Sequence, residues 1–149
     1  MIAIDFHAEH FKLIKGSNGA AGFDVSAAEG LTLWPYWMRL ITGSLKPQLV
    51  KTGLKWAPES RLLYMQLLSR SGMAVKQNVH VVAGVVDADY RGEIMVALDH
   101  RGLLPFKIAS GDRIAQAVIH SLPDVELKYT DEVDVDTTRG EEGFGSTGA

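Results

Sequence analysis

Cysteine is absent from this 149-residue chain. That excludes a disulfide framework and thiolate metal ligation, and it suits a reducing compartment such as the cytosol. No apolar run reaches the roughly 18 residues that a membrane-spanning helix needs. The opening "MIAIDFHAEHF" brings acidic and histidine residues early, without the basic-then-apolar plan of a secretory signal. The expectation is a cytoplasmic protein with no membrane partner. A positive surplus is missing too: 15 Lys and Arg stand against 18 Asp and Glu, a formal charge of −3. Direct nucleic-acid binding through a basic surface is therefore not expected. A small anionic ligand stays open, since a few arginines and backbone N–H groups hold one against an unfavourable net charge. The chain has no Gly-x-Ser-x-Gly, no Walker-type Gly-Lys-Ser/Thr and no Cys/His nucleophile arrangement. His7 and His10, with Glu9 between, lack a third metal ligand of matching spacing.

What is present reads mostly as short strands. Ile2, Ile4 and Phe6 alternate with smaller or polar neighbours, the pattern of a half-buried strand. "QLVKTGLKWA" (48–57), "LLYMQLL" (62–68), "VHVVAGVV" (79–86), "IMVAL" (94–98) and "RIAQAVI" (113–119) follow. Each is short, rich in Val, Ile, Leu or aromatics, and bounded by turn-forming residues. The one local helix candidate is about two turns at "SGMAVKQN" (71–78). Many short strands separated by turn signals predict an all-β sandwich or jelly roll. The length suits a single domain, residues 1–149, with a β core over 1–130. "DEVDVDTT" (131–138) is acidic and reads as a solvated tether to a glycine-rich terminal arm within 131–149.

Several segments carry polar groups in chemically useful settings. In "AGVVDADYRGEIMVAL" (83–98) two apolar strands flank a polar turn, which predicts a β-hairpin with a wide end. Its backbone offers donors and acceptors to a flat base. Asp87 stands where strand becomes turn, suited to a general base, and Tyr90 offers a ring beside a sugar. The alternative is a plain hairpin in which Asp87 caps its own turn. Arg70, Ser71 and Gly72 lie at a strand-to-helix junction, where N–H groups and a guanidinium suit phosphate, or where a serine merely caps the helix. Asp24 sits among small residues in "AAGFDVSAA" (20–28), open to a Mg²⁺ ion that keeps its waters. Gln116 interrupts an apolar strand and needs a partner for its amide.

Taken in order, "AGFDVSA", "RSGMAVK", "GVVDADYRGEI", "GDRIAQAVI" and "RGEEGFGSTG" span residues 21–148. They resemble the five ordered motifs of the trimeric deoxyuridine 5'-triphosphate nucleotidohydrolases, the dUTPases. The resemblance implies the jelly roll (β-clip) of that family with one short helix and a flexible C-terminal arm. It implies a homotrimer whose active sites are shared between subunits. It implies Mg²⁺-dependent hydrolysis of dUTP to dUMP and pyrophosphate, which limits uracil in DNA and supplies dUMP for dTMP synthesis. By matching position, Asp87 activates the water and Gln116 helps place it. Gly84, Val85, Val86 and Met95 read uracil through backbone groups and exclude a 5-methyl group, and Tyr90 packs on the deoxyribose. Arg70, Ser71 and Gly72 hold phosphates, and Asp24 meets the metal through water. Arg139, Gly145, Ser146 and Thr147 close over the phosphates while Phe144 stacks on the base. The resemblance implies an arm that can be mobile when empty, because its binding partner is the substrate.

The chain departs from that pattern in places. Between Leu33 and Lys46 it carries about ten extra residues, including Trp34, Tyr36 and Trp37. This 34–45 insertion suggests either a harmless loop or a protein-partner contact. Val81 stands where some relatives have asparagine, leaving base recognition to backbone groups. Glu141 and Glu142 are expected to point away from the phosphates. Two other readings remain: a dCTP deaminase on the same fold, which usually lacks the "GFGSTG" arm, and a nucleotide-dependent regulator that contacts a partner protein.

Overall fold

A computed structural model describes residues 3–134 and 136–138. The described strands are β1 (Ile4–Ala8), β2 (Ile14–Lys15), β3 (Phe23–Ser26), β4 (Leu31–Leu33), β5 (Gln48–Pro58), β6 (Leu63–Leu68), β7 (Val79–Ala83), β8 (Val85–Asp87), β9 (Ile94–His100), β10 (Phe106–Ile108) and β11 (Arg113–Ser121). Two short helices join them, α1 (Tyr36–Ile41) and α2 (Ser71–Gln77). An antiparallel sheet of order β1-β5-β9-β7 faces a second of order β2-β3-β11-β6-β8, and β4 pairs with β10. The all-β, jelly-roll-like architecture is the expected one. Among the described residues no helix is long and apolar enough to cross a membrane.

Strand parity decides which side chains meet between the sheets. In antiparallel ladders paired residues share a face, and alternate residues return to it. Ala115, Ala117, Val25, Met65 and Leu67 thus lie on one face of the five-stranded sheet, and all are buried. They pack against Val50, Leu54, Trp56, Ile94, Val96 and Leu98 from the other sheet in one core cluster. β5 carries two extra residues, Thr52 and Gly53, opposite β9, where the register steps from Lys51↔Met95 to Leu54↔Ile94. Two is an even number, so Val50 and Leu54 both stay inward on either side of the irregularity.

Three local features differ from the sequence expectation. The first is α1, a second helix inside the 34–45 insertion. Pro35 fixes φ at −62° at its N-cap, and Gly43, at φ +75°, ends it in the left-handed region open to glycine. Arg39 anchors this helix: it is 4% exposed, donates to the Lys46 carbonyl at 2.7 Å and pairs with Asp99. Contacts far along the chain, rather than local pattern, hold it.

The second is the hairpin of 83–98, which is not one ladder. β7 pairs with β9, but Val85–Asp87 leaves that sheet and pairs with β6 in the other. Gly84 makes the crossing possible. Its carbonyl accepts from Leu67 N at 2.6 Å, and a Cβ on it would lie 2.4 Å from the Leu67 carbonyl oxygen. The third is the set of short pairings, β2, β3, β4 and β10, too brief to show a period. After β11, residues 122–134 form neither helix nor strand.

Candidate active site

Where β8 and β9 diverge they leave a cleft of about 240 Å³. Val85, Val86, Asp87, Tyr90 and Met95 line it, together with Leu67, Glu93 and Ile94. Five of the residues expected around a base and sugar are therefore gathered in one place, with Gly84 at the crossing beside them. Tyr90 is fixed at both ends: its N–H donates to the Asp87 carbonyl at 3.2 Å, and its hydroxyl donates to the Glu93 carbonyl at 3.0 Å. Gly92 permits that fold-back, since a Cβ there would come within 2.4 Å of the tyrosine hydroxyl. Val85, 66% exposed, and Met95, 39% exposed, leave apolar surface open at the mouth.

Asp87 does not cap its own turn. Its main-chain carbonyl accepts two hydrogen bonds, from Tyr90 N and from Trp56 Nε1. Its carboxylate is exposed and has no hydrogen-bond or ion-pair partner among the described residues. A free carboxylate at the rim of an apolar cleft is available to take a proton from water.

A second group of expected residues assembles elsewhere. Asp24 is 6% exposed, and its two oxygens accept from Arg70 Nε and Arg113 Nη1, each at 3.0 Å. Arg70 also donates to the Arg113 carbonyl at 3.0 Å. One buried carboxylate thus aligns two guanidinium groups and leaves a surplus positive charge. Arg113 escaped the sequence reading; its place in "GDRIAQAVI" next to Asp112 gave no sign that it would reach Asp24. Gln116 pairs in register with Asp24 on one side and Leu68 on the other. Its side-chain amide has no partner among the described residues. Ser71 begins α2 rather than capping it: Arg70 is the N-cap residue, and no side chain caps the helix. Open space lies over Gly72, where a Cβ would meet nothing within 4 Å.

Register puts both groups on one face of the five-stranded sheet. Asp24, Gln116, Leu68, Gln66, Val85, Tyr64 and Asp87 follow one another across β3, β11, β6 and β8 with their side chains on the same side. The chain nevertheless keeps them apart. Gln116 lies opposite Leu68 and Asp87 opposite Tyr64. Four residues of strand rise and two interstrand spacings separate the two by about 16 Å. No group of three or more His, Asp or Glu able to hold a metal occurs among the described residues. Each Asp24 oxygen already accepts from a guanidinium, so the carboxylate is neutralised by its own chain. Arg139, Phe144, Gly145, Ser146 and Thr147 lie outside the described residues.

A family model described as dUTPase matches residues 10–148. The chain is 44% identical over 134 residues to the deoxyuridine 5'-triphosphate nucleotidohydrolase of Wolinella succinogenes, covering 89% of this chain and 83% of that one. It is 39% identical over 135 residues to the enzyme of the same name from Candida albicans, covering 90% and 79%. Its fold is similar to that of the Staphylococcus bacteriophage 80alpha dUTPase, solved with dUPNHPP, at TM-score 0.85 and 23% identity over 99% of each chain.

Proposed function

Since the chain belongs to the dUTPase family, we propose that it hydrolyses dUTP to dUMP and pyrophosphate by attack of water on the α-phosphorus. The observation that carries this reading is the cleft between β8 and β9, where an unpartnered Asp87 carboxylate borders apolar walls and a clamped Tyr90. The walls at Val85, Val86 and Met95 admit a flat pyrimidine and leave no room for a 5-methyl group, while backbone groups from Gly84 onward read its edge. Tyr90 packs on the deoxyribose and rejects a 2'-hydroxyl. Asp87 takes the proton of the attacking water, a step worth about 10²–10⁴-fold from a positioned general base.

The phosphates belong to the second group. Arg70, Ser71 and Gly72 hold them, with Asp24 aligning Arg70 and Arg113 in front of them. Gln116 orients the water through its free amide. Arg139, Gly145, Ser146 and Thr147 close from the arm, and Phe144 stacks on the base. Asp24 would meet a magnesium ion carried by the dUTP phosphates through water, and the ion would supply charge that offsets theirs.

A general base must lie within about 3 Å of the proton it removes, yet Asp87 and Gln116 are about 16 Å apart along the ladder. Both act on one water only if different copies supply them. A homotrimer with sites shared between subunits meets that need. Val125, Leu127 and Tyr129 support it, since they alternate with polar residues as a strand would and are 67%, 75% and 93% exposed. They carry the pattern of a strand, with no partner strand among the described residues.

In this reading residues 1–130 are the core of one domain, 131–149 are its tether and closing arm, and the protein works in the cytosol, that of the host cell if its source is viral. The 34–45 insertion serves protein contact, supported by the exposed Trp37, Leu40 and Ile41. The test is pyrophosphate release from dUTP, dCTP, dTTP and UTP with magnesium. Turnover of dUTP alone is the expected result; release from all four, or from none, overturns it.

A further inference from the structure

β5 belongs to the four-stranded sheet, yet it sends three hydrogen bonds into the walls of the cleft. Thr52 Oγ1 donates to the Ile94 carbonyl at 2.5 Å, Gly53 N donates to Glu93 Oε1 at 2.9 Å, and Trp56 Nε1 donates to the Asp87 carbonyl at 3.1 Å. The third bond is of a different kind, because Asp87 lies in the opposite sheet. It is a strut across the core, ending on the residue that carries the free carboxylate.

β8 needs such a strut. It is three residues long, lies at the sheet edge, and is laddered only to β6, with Tyr64↔Asp87 its last pair. Strand ends of this kind open readily. The Asp87 carbonyl has two acceptor sites; Tyr90 N and Trp56 Nε1 fill both. One oxygen therefore ties the end of β8 to the core and starts the turn that carries Tyr90. Trp56 is 1% exposed, and a buried indole N–H must find an acceptor. Filling the space alone would need no such donor, and a purely apolar ring would avoid the cost of satisfying one.

We propose that Trp56 is a positioning residue which, through the Asp87 carbonyl, sets the Asp87 carboxylate and the Tyr90 ring at their working distance. The proposal rests on the hydrolase reading for its catalytic part and on the hydrogen-bond geometry for its structural part. A displacement of about 1 Å in a reacting group costs on the order of 10²-fold in rate. A loosened β8 should therefore act on turnover more than on binding.

The test uses the full chain with Trp56→Phe, and with a tryptophan isostere at residue 56 in which sulfur replaces the indole N–H. The isostere keeps ring volume, so it answers the question even if the phenylalanine variant folds poorly. The expected result is a kcat lower by about tenfold or more, with KM for dUTP and calorimetric affinity for a non-hydrolysable dUTP analogue within about threefold. Amide exchange supplies a readout independent of activity: Tyr90, whose N–H is held by the Asp87 carbonyl, should exchange faster in the variant while Val96 keeps its protection. A kcat within twofold of wild type, or unchanged exchange at Tyr90, overturns the proposal. Wild-type protein that turns over no dUTP overturns the hydrolase reading instead, and the exchange rates still decide whether the indole holds this carbonyl.

Discussion

The cleft at β8 and β9 and the cluster around Asp24 are built from different forces. The cleft is apolar and is shaped by main-chain hydrogen bonds and two glycines that let groups approach closely. The cluster is ionic, one buried carboxylate aligning two arginines. Selection by shape is indifferent to salt. Selection by charge weakens as ionic strength rises. About 16 Å of sheet lies between them, so under the proposed hydrolysis one chain does not bring both onto one water. In the proposed reading the contrast separates recognition, which each copy owns, from chemistry, which neighbouring copies share.

The largest effect should come from the cleft side. Asp87→Asn should lower turnover by about 10²–10⁴-fold, the contribution of a placed general base, while calorimetric affinity for dUTP stays near wild type. Near-normal turnover would remove Asp87 from that role. Next comes a direct attack on the separation. Asp87→Asn and Arg70→Ala protein, each impaired alone, should be unfolded together and refolded as mixed trimers. If neighbouring copies supply the two parts, about one site in four is intact in a random cyclic trimer, and about a quarter of wild-type turnover returns. No recovery means that one chain supplies both.

The cluster itself gives a smaller effect. Asp24→Asn leaves Arg70 and Arg113 side by side without their shared anion. It should cost about 1–3 kcal/mol of stability, less than a fully buried pair because both guanidiniums reach solvent. KM for dUTP should rise, most clearly at low salt. A thermal melt and a salt series in KM check both points.

The smallest effect lies away from the site, at α1. Burial pushes the Asp99 carboxyl up, but hydrogen bonds from Arg101 and Arg39, with their charges, outweigh it and hold the group below its ordinary value of 3.8. A depressed carboxylate stabilises the fold above its unfolded value, and the stabilisation is lost as pH falls through the folded value. Asp99→Asn should therefore be less stable than wild type at pH 7, and the gap should narrow below about pH 4. A gap that widens on acidification contradicts the sign.

Much of this was legible in the residues, for local reasons. Long strands with alternating or continuous apolar residues, such as 48–57 and 113–119, announce themselves because the period repeats. Asp87, Tyr90 and Met95 were found together because one continuous stretch of chain, 83–98, carries them. The rest depended on distant contacts. α1 holds through Arg39 and Asp99, sixty residues apart in sequence. The branch of β8 into the other sheet turns on the approach of Gly84 to Leu67, which no window of neighbouring residues reveals. Arg113 was missed because its partner, Asp24, lies eighty-nine positions earlier.

The crossing at Gly84 makes the cleft a caliper set to the thickness of the sandwich. One jaw, Val85 to Asp87, hangs from the five-stranded layer, and the other, Ile94 and Met95, from the four-stranded layer. Whatever moves the layers relative to one another moves the jaws. Core substitutions that swell or thin the interior are thus expected to change the gap between the jaws without touching the cleft's own lining, so the selectivity of the cleft is partly a property of the hydrophobic filling.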